Sequence, residues 1–324
     1  MQPVKDIINL MNEYGKSSIP FVFIFDFGME KPLIFRISEL EDNNIFFDIN
    51  GIKNFHQAYP LSKKIILRKY PVKFERYKSA FENVLKHINF GNSYLLNLTF
   101  PTKIEINLTL KEIFLHSTAK YKLYFMDKFV VFSPEIFVQV KNGKISSFPM
   151  KGTIDANIEN AEQLILNNKK ETAEHNTIVD LIRNDLSMVA KNVRVEKFRY
   201  IDKIKTHEKE LLQTSSKITG ELPDNWKEKI GDIFMPLLPA GSISGAPKKK
   251  TVDIIKESEV YNRGYFTGVF GYFDGEKLDS AVMIRFIEII GDEIYFKSGG
   301  GITCFSNCES EYNEMIDKVY VPVV

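Results

Sequence analysis

The chain has little cysteine: two residues, Cys304 and Cys308, among 324. Two thiols exclude a disulfide-stapled scaffold and a four-thiolate zinc site, so both are expected to be reduced and mostly buried. Long apolar runs are missing as well. The densest, residues 19–27, is broken by Pro20 and Asp26 and is far shorter than the ~20 residues that span a bilayer. Residues 1–12 mix Lys5 and Asp6 among apolar neighbours and lack the charged, apolar and cleavage regions of a signal peptide. A cytoplasmic protein that does not enter a membrane is expected. Net charge is almost absent, because 43 Lys and Arg face 42 Asp and Glu to leave +1. No global field gathers nucleic acid or an anionic surface, so no nucleic-acid partner is expected and any anionic ligand must be held locally. Repeats, low-complexity tracts and Pro/Ser-rich linkers are also missing.

What is present reads as an ordinary globular chain, 44% hydrophobic and 26% charged. Its length exceeds the ~250–300 residues at which single cores usually stop growing, yet no linker divides it, and one elaborate domain over residues 1–324 is expected. Aromatic and β-branched runs at 21–25, 33–37 and 44–49 predict short strands separated by turns. Helical spacing marks 74–88, and strands are predicted at 94–100, 122–125, 129–132 and 137–140. Asn142-Gly143 predicts a two-residue hairpin. A long helix from about 161 to 190, interrupted near Asn167-Asn168, is followed by strands at 193–198 and 211–218 and helices at 226–234 and 247–258. Strands at 264–273, 280–290 and 293–297 precede a final helix from about 307 to 320. Grouped, hairpin-connected strands favour an α+β fold: packed, mostly antiparallel sheets flanked by helices.

Several segments carry chemistry. Lys151 stands in Phe148-Pro149-Met150-Lys151-Gly152-Thr153, read as a turn, where an isolated lysine is ordinarily a surface residue. In the helix carrying Glu171, Glu174 and His175, Glu174 falls in line with Ile178 and Ile182 and is expected to face inward, where a carboxylate needs a cation or a donor. The last helix repeats the pattern with Glu309, Glu311 and Glu314. Carboxylates from two helices suit a hard divalent cation such as Mg²⁺, although each set alone is more often a solvated acidic face. Gly299-Gly300-Gly301 permit close approach of backbone N–H groups to an anion. In Gly241-Ser242-Ile243-Ser244-Gly245-Ala246-Pro247-Lys248, Pro247 suits a first helical turn and Ser244 or Gly245 the cap, a combination that favours a carboxylate or phosphate.

Together these segments resemble the chorismate-utilising enzymes, a family that includes aminodeoxychorismate, anthranilate, isochorismate and salicylate synthases. The resemblance runs from about Asn97 to the C-terminus and rests on Ser133-Pro134-Glu135, the lysine segment, Glu174-His175 through Asp185, Gly241 to Lys248, Arg263-Gly264-Tyr265 with Gly268, Ile284-Arg285 and Gly299 to Glu314. It implies an anthranilate synthase component I-like fold with residues 1–70 a reduced N-terminal subregion. It further implies Glu174, Glu311 and Glu314 as Mg²⁺ ligands or holders of its water. Tyr265, Arg285, Ser242 and the amides of Gly299, Gly300 and Gly301 would hold substrate, and Glu135 would be the general acid. The lysine segment is similar to the aminodeoxychorismate synthase branch, in which the amine adds at C2 of chorismate before ammonia enters at C4. For that role Lys151 is expected to have a lowered pKa.

Two departures stand out. Gln213 occupies a place where the family commonly has histidine, and it cannot shuttle a proton as histidine can; His175 or His207 would have to substitute. No match to the tryptophan-binding motif of feedback-inhibited anthranilate synthases is seen. Neither cysteine sits in a glutaminase nucleophile elbow, so ammonia is expected from solution or from a separate glutamine amidotransferase subunit. The expected product is 4-amino-4-deoxychorismate for p-aminobenzoate and folate synthesis. The alternatives are an anthranilate synthase large subunit, an isochorismate or salicylate synthase, for which Tyr94-Leu95-Leu96-Asn97 offers no lysine base, and a non-catalytic chorismate-binding subunit.

Overall fold

A computed structural model describes residues 3–56, 63–205 and 210–322. Among these residues the strands form two nine-stranded sheets in which every pairing is antiparallel, flanked by helices. The first sheet runs from Met150–Asp155 through Glu210–Glu221, Lys144–Ser147, Ile136–Lys141, Leu278–Val282, Val269–Phe273 and Phe21–Phe25 to Leu33–Arg36. Lys191–Lys205 pairs with Glu210–Glu221 off this path. The second sheet runs from Gly245–Ala246 through Leu95–Ile106, Glu293–Ile302, Phe286–Ile290, Phe129–Ser133 and Tyr121–Phe125 to Ile45–Ile49 and Ile52–Lys53, with Leu67–Tyr70 paired to Leu95–Ile106 off this path. The N-terminal strands are thus divided between the two sheets: Phe21–Phe25 pairs with Val269–Phe273, and Ile45–Ile49 with Tyr121–Phe125.

Strand periodicity explains the core. Phe21, Phe23 and Phe25 enter one hydrophobic cluster, while Val22 and Ile24 enter another on the opposite face. That strand is apolar at every position because both of its faces are covered. The expected hairpin forms at Asn142 (φ 53°) and Gly143 (φ 69°), the left-handed pair that a two-residue turn demands. The long helix divides where expected, into Ala161–Asn167 and Lys169–Ser187, and Asn168 caps the second by accepting from the Glu171 N–H at 3.0 Å.

Three expectations change. The stretch 280–290 is not one strand: Leu278–Val282 and Phe286–Ile290 belong to different sheets, and the chain turns between them with Arg285 at φ 53°. An apolar run alone carries no sign of such a transfer. Pro247 precedes the helix Lys248–Glu259 as its N-cap residue, while Ser244 Oγ donates back to the Ala240 carbonyl at 2.9 Å and does not cap it. Cys304 is exposed, in the turn after the last long strand, and Cys308 is half-buried. Among the described residues no helix is long and apolar enough to cross a membrane.

Candidate active site

Lys151 is held by a defect in the sheet, not by a turn. Met150–Asp155 pairs with Glu210–Glu221, and the register slips between Lys151, opposite Thr214, and Thr153, opposite Gln213. Gly152 is the extra residue, at φ +79°, and an added Cβ there would lie 3.3 Å from Glu171 Oε2. Such a bulge bends the strand and re-aims its side chains; the Lys151 carbonyl also accepts a hydrogen bond from the Thr214 hydroxyl. The amine is thereby turned into a cavity of about 570 Å³. Gly301 lies beside it: an added Cβ at that position would sit 3.4 Å from Lys151 Nζ, in van der Waals contact with the amine.

The same cavity gathers side chains from remote parts of the chain. Glu135, Glu174, Ser242, Arg285, the three glycines, Glu311 and Glu314 all line it. Glu174 is buried on the inward face of its helix beside Ile178, and its Oε2 accepts from Lys151 Nζ at 2.7 Å. Glu311 accepts from Ser306 Oγ at 2.7 Å, whereas Glu314, one turn on, pairs with Lys318 at 2.7 Å. Glu309 is exposed on the far side of that helix. Beyond Lys297, Glu293–Ile302 keeps only Leu95–Ile106 as its strand neighbour, because Phe286–Ile290 ends opposite Lys297. Gly299 to Gly301 therefore form not a loop but a strand with one edge open to the cavity.

Glu135 follows the strand Phe129–Ser133, and its carboxylate accepts a hydrogen bond from Ser242 Oγ. Burial pushes its pKa above the ordinary carboxylate range, opposed by the Ser242 hydrogen bond and by the positive charges of Lys151, Arg285 and Lys318. The direction is the one a proton donor needs. Lys151 departs from expectation. Burial alone lowers its pKa, but Glu174 and, more weakly, Glu171 and Glu314 outweigh burial and raise it. In this arrangement the amine is an ammonium ion paired with Glu174.

Tyr265 is not among the residues lining the cavity. Its hydroxyl donates to the Lys31 carbonyl at 2.9 Å and its ring packs on Phe129. Ser242 lines the cavity and donates to Glu135, whereas Lys248, at the other end of the Gly241–Lys248 segment, is engaged elsewhere: its Nζ lies 2.9 Å from Asp185 Oδ2 and donates to the Leu237 carbonyl. Gln213 lines the cavity and donates to Thr153 Oγ1 at 3.4 Å. His175 does not substitute for the missing histidine: it is fully buried behind the wall, bonded to Ser216 Oγ at 2.6 Å, and its pKa is lowered to about 4 by burial, Arg199 and Lys151. His207 lies outside the described residues.

Two cavity lysines were not foreseen. Lys318 donates to the Gly299 carbonyl at 2.8 Å, and its pKa is lowered by burial, against Glu314, and further by Arg285 and Lys151. Helical spacing could have found it, since 311, 314 and 318 share a face. Lys297 is 2% exposed, donates to the Arg263 carbonyl at 2.9 Å and pairs with Glu288. It shares the strand face of Gly299 and Gly301 at a spacing of two.

The acidic groups supply only oxygen donors, the set that suits a hard divalent ion. Among the described residues no three such groups stand together as a ready metal site, and Lys151, Lys318 and Ser306 engage Glu174, Glu314 and Glu311. A bound cation would compete with those partners for the same oxygens.

Comparison with known proteins agrees with the architecture. A protein of Haemophilus influenzae described as an uncharacterised PabA-like protein is 51% identical over 99% of this chain and 97% of its own length. Aminodeoxychorismate synthase component 1 of Bacillus subtilis is 30% identical over 77% of this chain and 55% of that one. The crystal structure of anthranilate synthase component I from Streptococcus pneumoniae superposes with a TM-score of 0.66, at 26% identity, over 78% of this chain and 58% of that one. Residues 36–323 match the chorismate binding enzyme family, and the chain belongs to that family of chorismate-utilising enzymes.

Proposed function

We propose that this protein converts chorismate and ammonia to 4-amino-4-deoxychorismate, as an aminodeoxychorismate synthase. The observation that carries the reading is the placement of Lys151. Its amine points into the cavity that Glu135 also lines, instead of into solvent. Lys151 Nζ would add at C2 while the C4 hydroxyl takes the proton of Glu135 and leaves as water. Ammonia would then add at C4, and the C2–Nζ bond would break to return the lysine. Chorismate plus ammonia thus becomes 4-amino-4-deoxychorismate plus water.

Arg285, turned toward the cavity by its left-handed backbone, offers a two-pronged donor to a substrate carboxylate. Lys318 and the open strand edge at Gly299–Gly301 supply further donors for the second. Glu174 and Glu314, with Glu311, would hold Mg²⁺, which would withdraw charge from the ring carboxylate. Attack requires a neutral amine, so Lys151 must be released from Glu174 before it reacts. The name of the Bacillus subtilis relative, component 1, supports a second component; a separate glutaminase would deliver ammonia here, and the product would lead to p-aminobenzoate and folate.

Incubation with chorismate, Mg²⁺ and ammonium, followed by the separate lyase, is expected to yield p-aminobenzoate. Direct formation of anthranilate by the unmodified protein would overturn the assignment.

A further inference from the structure

Arg263 lies outside the substrate cavity, yet its side chain touches three of the cavity's walls. It is 2% exposed and uses all five of its N–H donors. Nε and Nη2 bind the two oxygens of Glu259 at 2.8 and 2.6 Å. Nη2 also donates to the Asn97 carbonyl at 2.6 Å, and Nη1 to the Ile243 carbonyl at 3.1 Å and to Thr267 Oγ1 at 3.2 Å. Asn97, Ile243 and Thr267 all line the cavity, and they come from three separate segments. Glu259 fastens a fourth point by accepting from the backbone N–H and the hydroxyl of Thr99, at 2.8 and 2.9 Å.

We propose that the buried Arg263–Glu259 pair is a positioning device that sets Ser242, and through it the acid Glu135, against the strand Leu95–Ile106 and the 263–268 turn. Ile243 follows Ser242 directly, and Ser242 donates to the Glu135 carboxylate. A shift of the Ile243 carbonyl therefore moves the group that holds the proton donor. Thr267 is β-branched and sits at φ 62°, a conformation that persists only when its surroundings enforce it. Arg263 is part of that enforcement.

A buried ion pair is weak evidence for stability, because desolvating both charges offsets much of their attraction. What this pair supplies is geometry: five directed bonds from one rigid plane. Lysine has three donors on a flexible stem and cannot reproduce them.

The inference rests on the cavity being the site of chorismate chemistry, so its test has one arm that needs no turnover. In Arg263→Lys, amide hydrogen exchange is expected to rise at least about tenfold in residues 95–99, 241–246 and 264–268 and to stay unchanged in the rest of both sheets. In the second arm kcat with chorismate and ammonium should fall on the order of tenfold to a hundredfold with little change in KM, the signature of a misplaced reacting group. Asp279→Asn is the control for stability alone: Asp279 is bonded to Tyr121, Asn50 and Gln139 and is not among the residues lining the cavity. It should lower the melting temperature and leave kcat unchanged. Should Arg263→Lys fail to fold, Thr267→Val removes a single bond of the set, and faster exchange confined to 264–268 is expected. Unchanged exchange, or a kcat loss no larger than that of Asp279→Asn at a matched loss of stability, would overturn the proposal. An inactive wild-type protein with the local exchange pattern intact would refute the proposed reaction and leave the brace standing.

Discussion

Replacing Lys151 separates its two roles, ion-pair partner and nucleophile, provided that two substitutions are compared. At 2.7 Å and an effective dielectric constant of about 20, the gross attraction between Lys151 and Glu174 is on the order of 6 kcal/mol, much of it cancelled by desolvation. The lysine side chain is 25% exposed and the Glu174 side chain 7%. Lys151→Ala therefore removes the cation beside a carboxylate that is nearly all buried, at a cost of about 3 kcal/mol, the lower end for a broken buried pair because solvent reaches one member. Across 324 residues that corresponds to a loss of roughly 3–5 °C in melting temperature. Lys151→Arg keeps a cation beside Glu174 and should restore most of this stability. Neither variant can attack carbon, and the effective concentration of a well-oriented tethered group reaches ~10⁵–10⁸ M. Formation of 4-amino-4-deoxychorismate is therefore expected to fall at least about a hundredfold in both, with anthranilate appearing in Lys151→Ala as ammonia attacks C2 directly. Chromatography of the products, with mass spectrometry of wild type trapped with chorismate, reads the outcome; the expected adduct on Lys151 has the mass of chorismate less water. An arginine variant that still makes 4-amino-4-deoxychorismate at the wild-type rate would refute the covalent role, because a guanidinium cannot perform it.

Glu135→Gln should reduce turnover by about 10²–10⁴-fold and also raise the melting temperature at neutral pH. Burial raises the folded-state pKa of Glu135, so its contribution to stability is favourable below the unfolded carboxylate pKa and is lost as pH rises through the folded value; glutamine removes that loss. The same titration predicts that stability declines more steeply with rising pH in wild type than in Glu135→Gln, and urea midpoints that shift equally in the two proteins would count against a buried Glu135 that retains its proton. Tyr265→Phe should change kcat/KM by no more than about twofold, in keeping with a substitution away from reacting groups, because its hydroxyl is spent on the Lys31 carbonyl. A large increase in KM would mean that the ring turns into the cavity when substrate binds. His175, lowered from 6.5 to about 4, makes folding unfavourable to its protonation; about 3 kcal/mol present above pH 6.5 should drain away as pH falls toward 4. Urea midpoints at pH 7.5 and 4.5 should therefore differ more for wild type than for His175→Gln, and an equal difference in the two proteins would refute the assignment.

Much of the site was legible before any fold was known, and for identifiable reasons. Helical spacing alone turned Glu174 inward with Ile178 and Ile182. The Asn142-Gly143 pair marked the left-handed turn before the lysine segment, although at Gly152 a β-bulge and a turn leave the same trace in sequence. The break at Asn168 was visible because an Asx cap is a local interaction. The transfer of the chain between sheets at Arg285 was not visible, since the residues on both sides are equally apolar.

The sequence by itself determined the antiparallel α+β class, the acidic faces of two helices, the placement of Lys151 beside a glycine and the family to which the chain belongs. All of these depend on near neighbours or on ordered motifs. Only the tertiary structure decided that Ser242 grips Glu135 across 107 residues of chain, that Tyr265 turns to Lys31, that Lys318 reaches the cavity and that Lys151 is charged. Position along a strand or helix sets which face a side chain takes; what stands opposite it depends on register and on sheet-to-sheet packing. The pKa of a buried amine depends on that opposite partner, here Glu174, more than on its own neighbours in the chain.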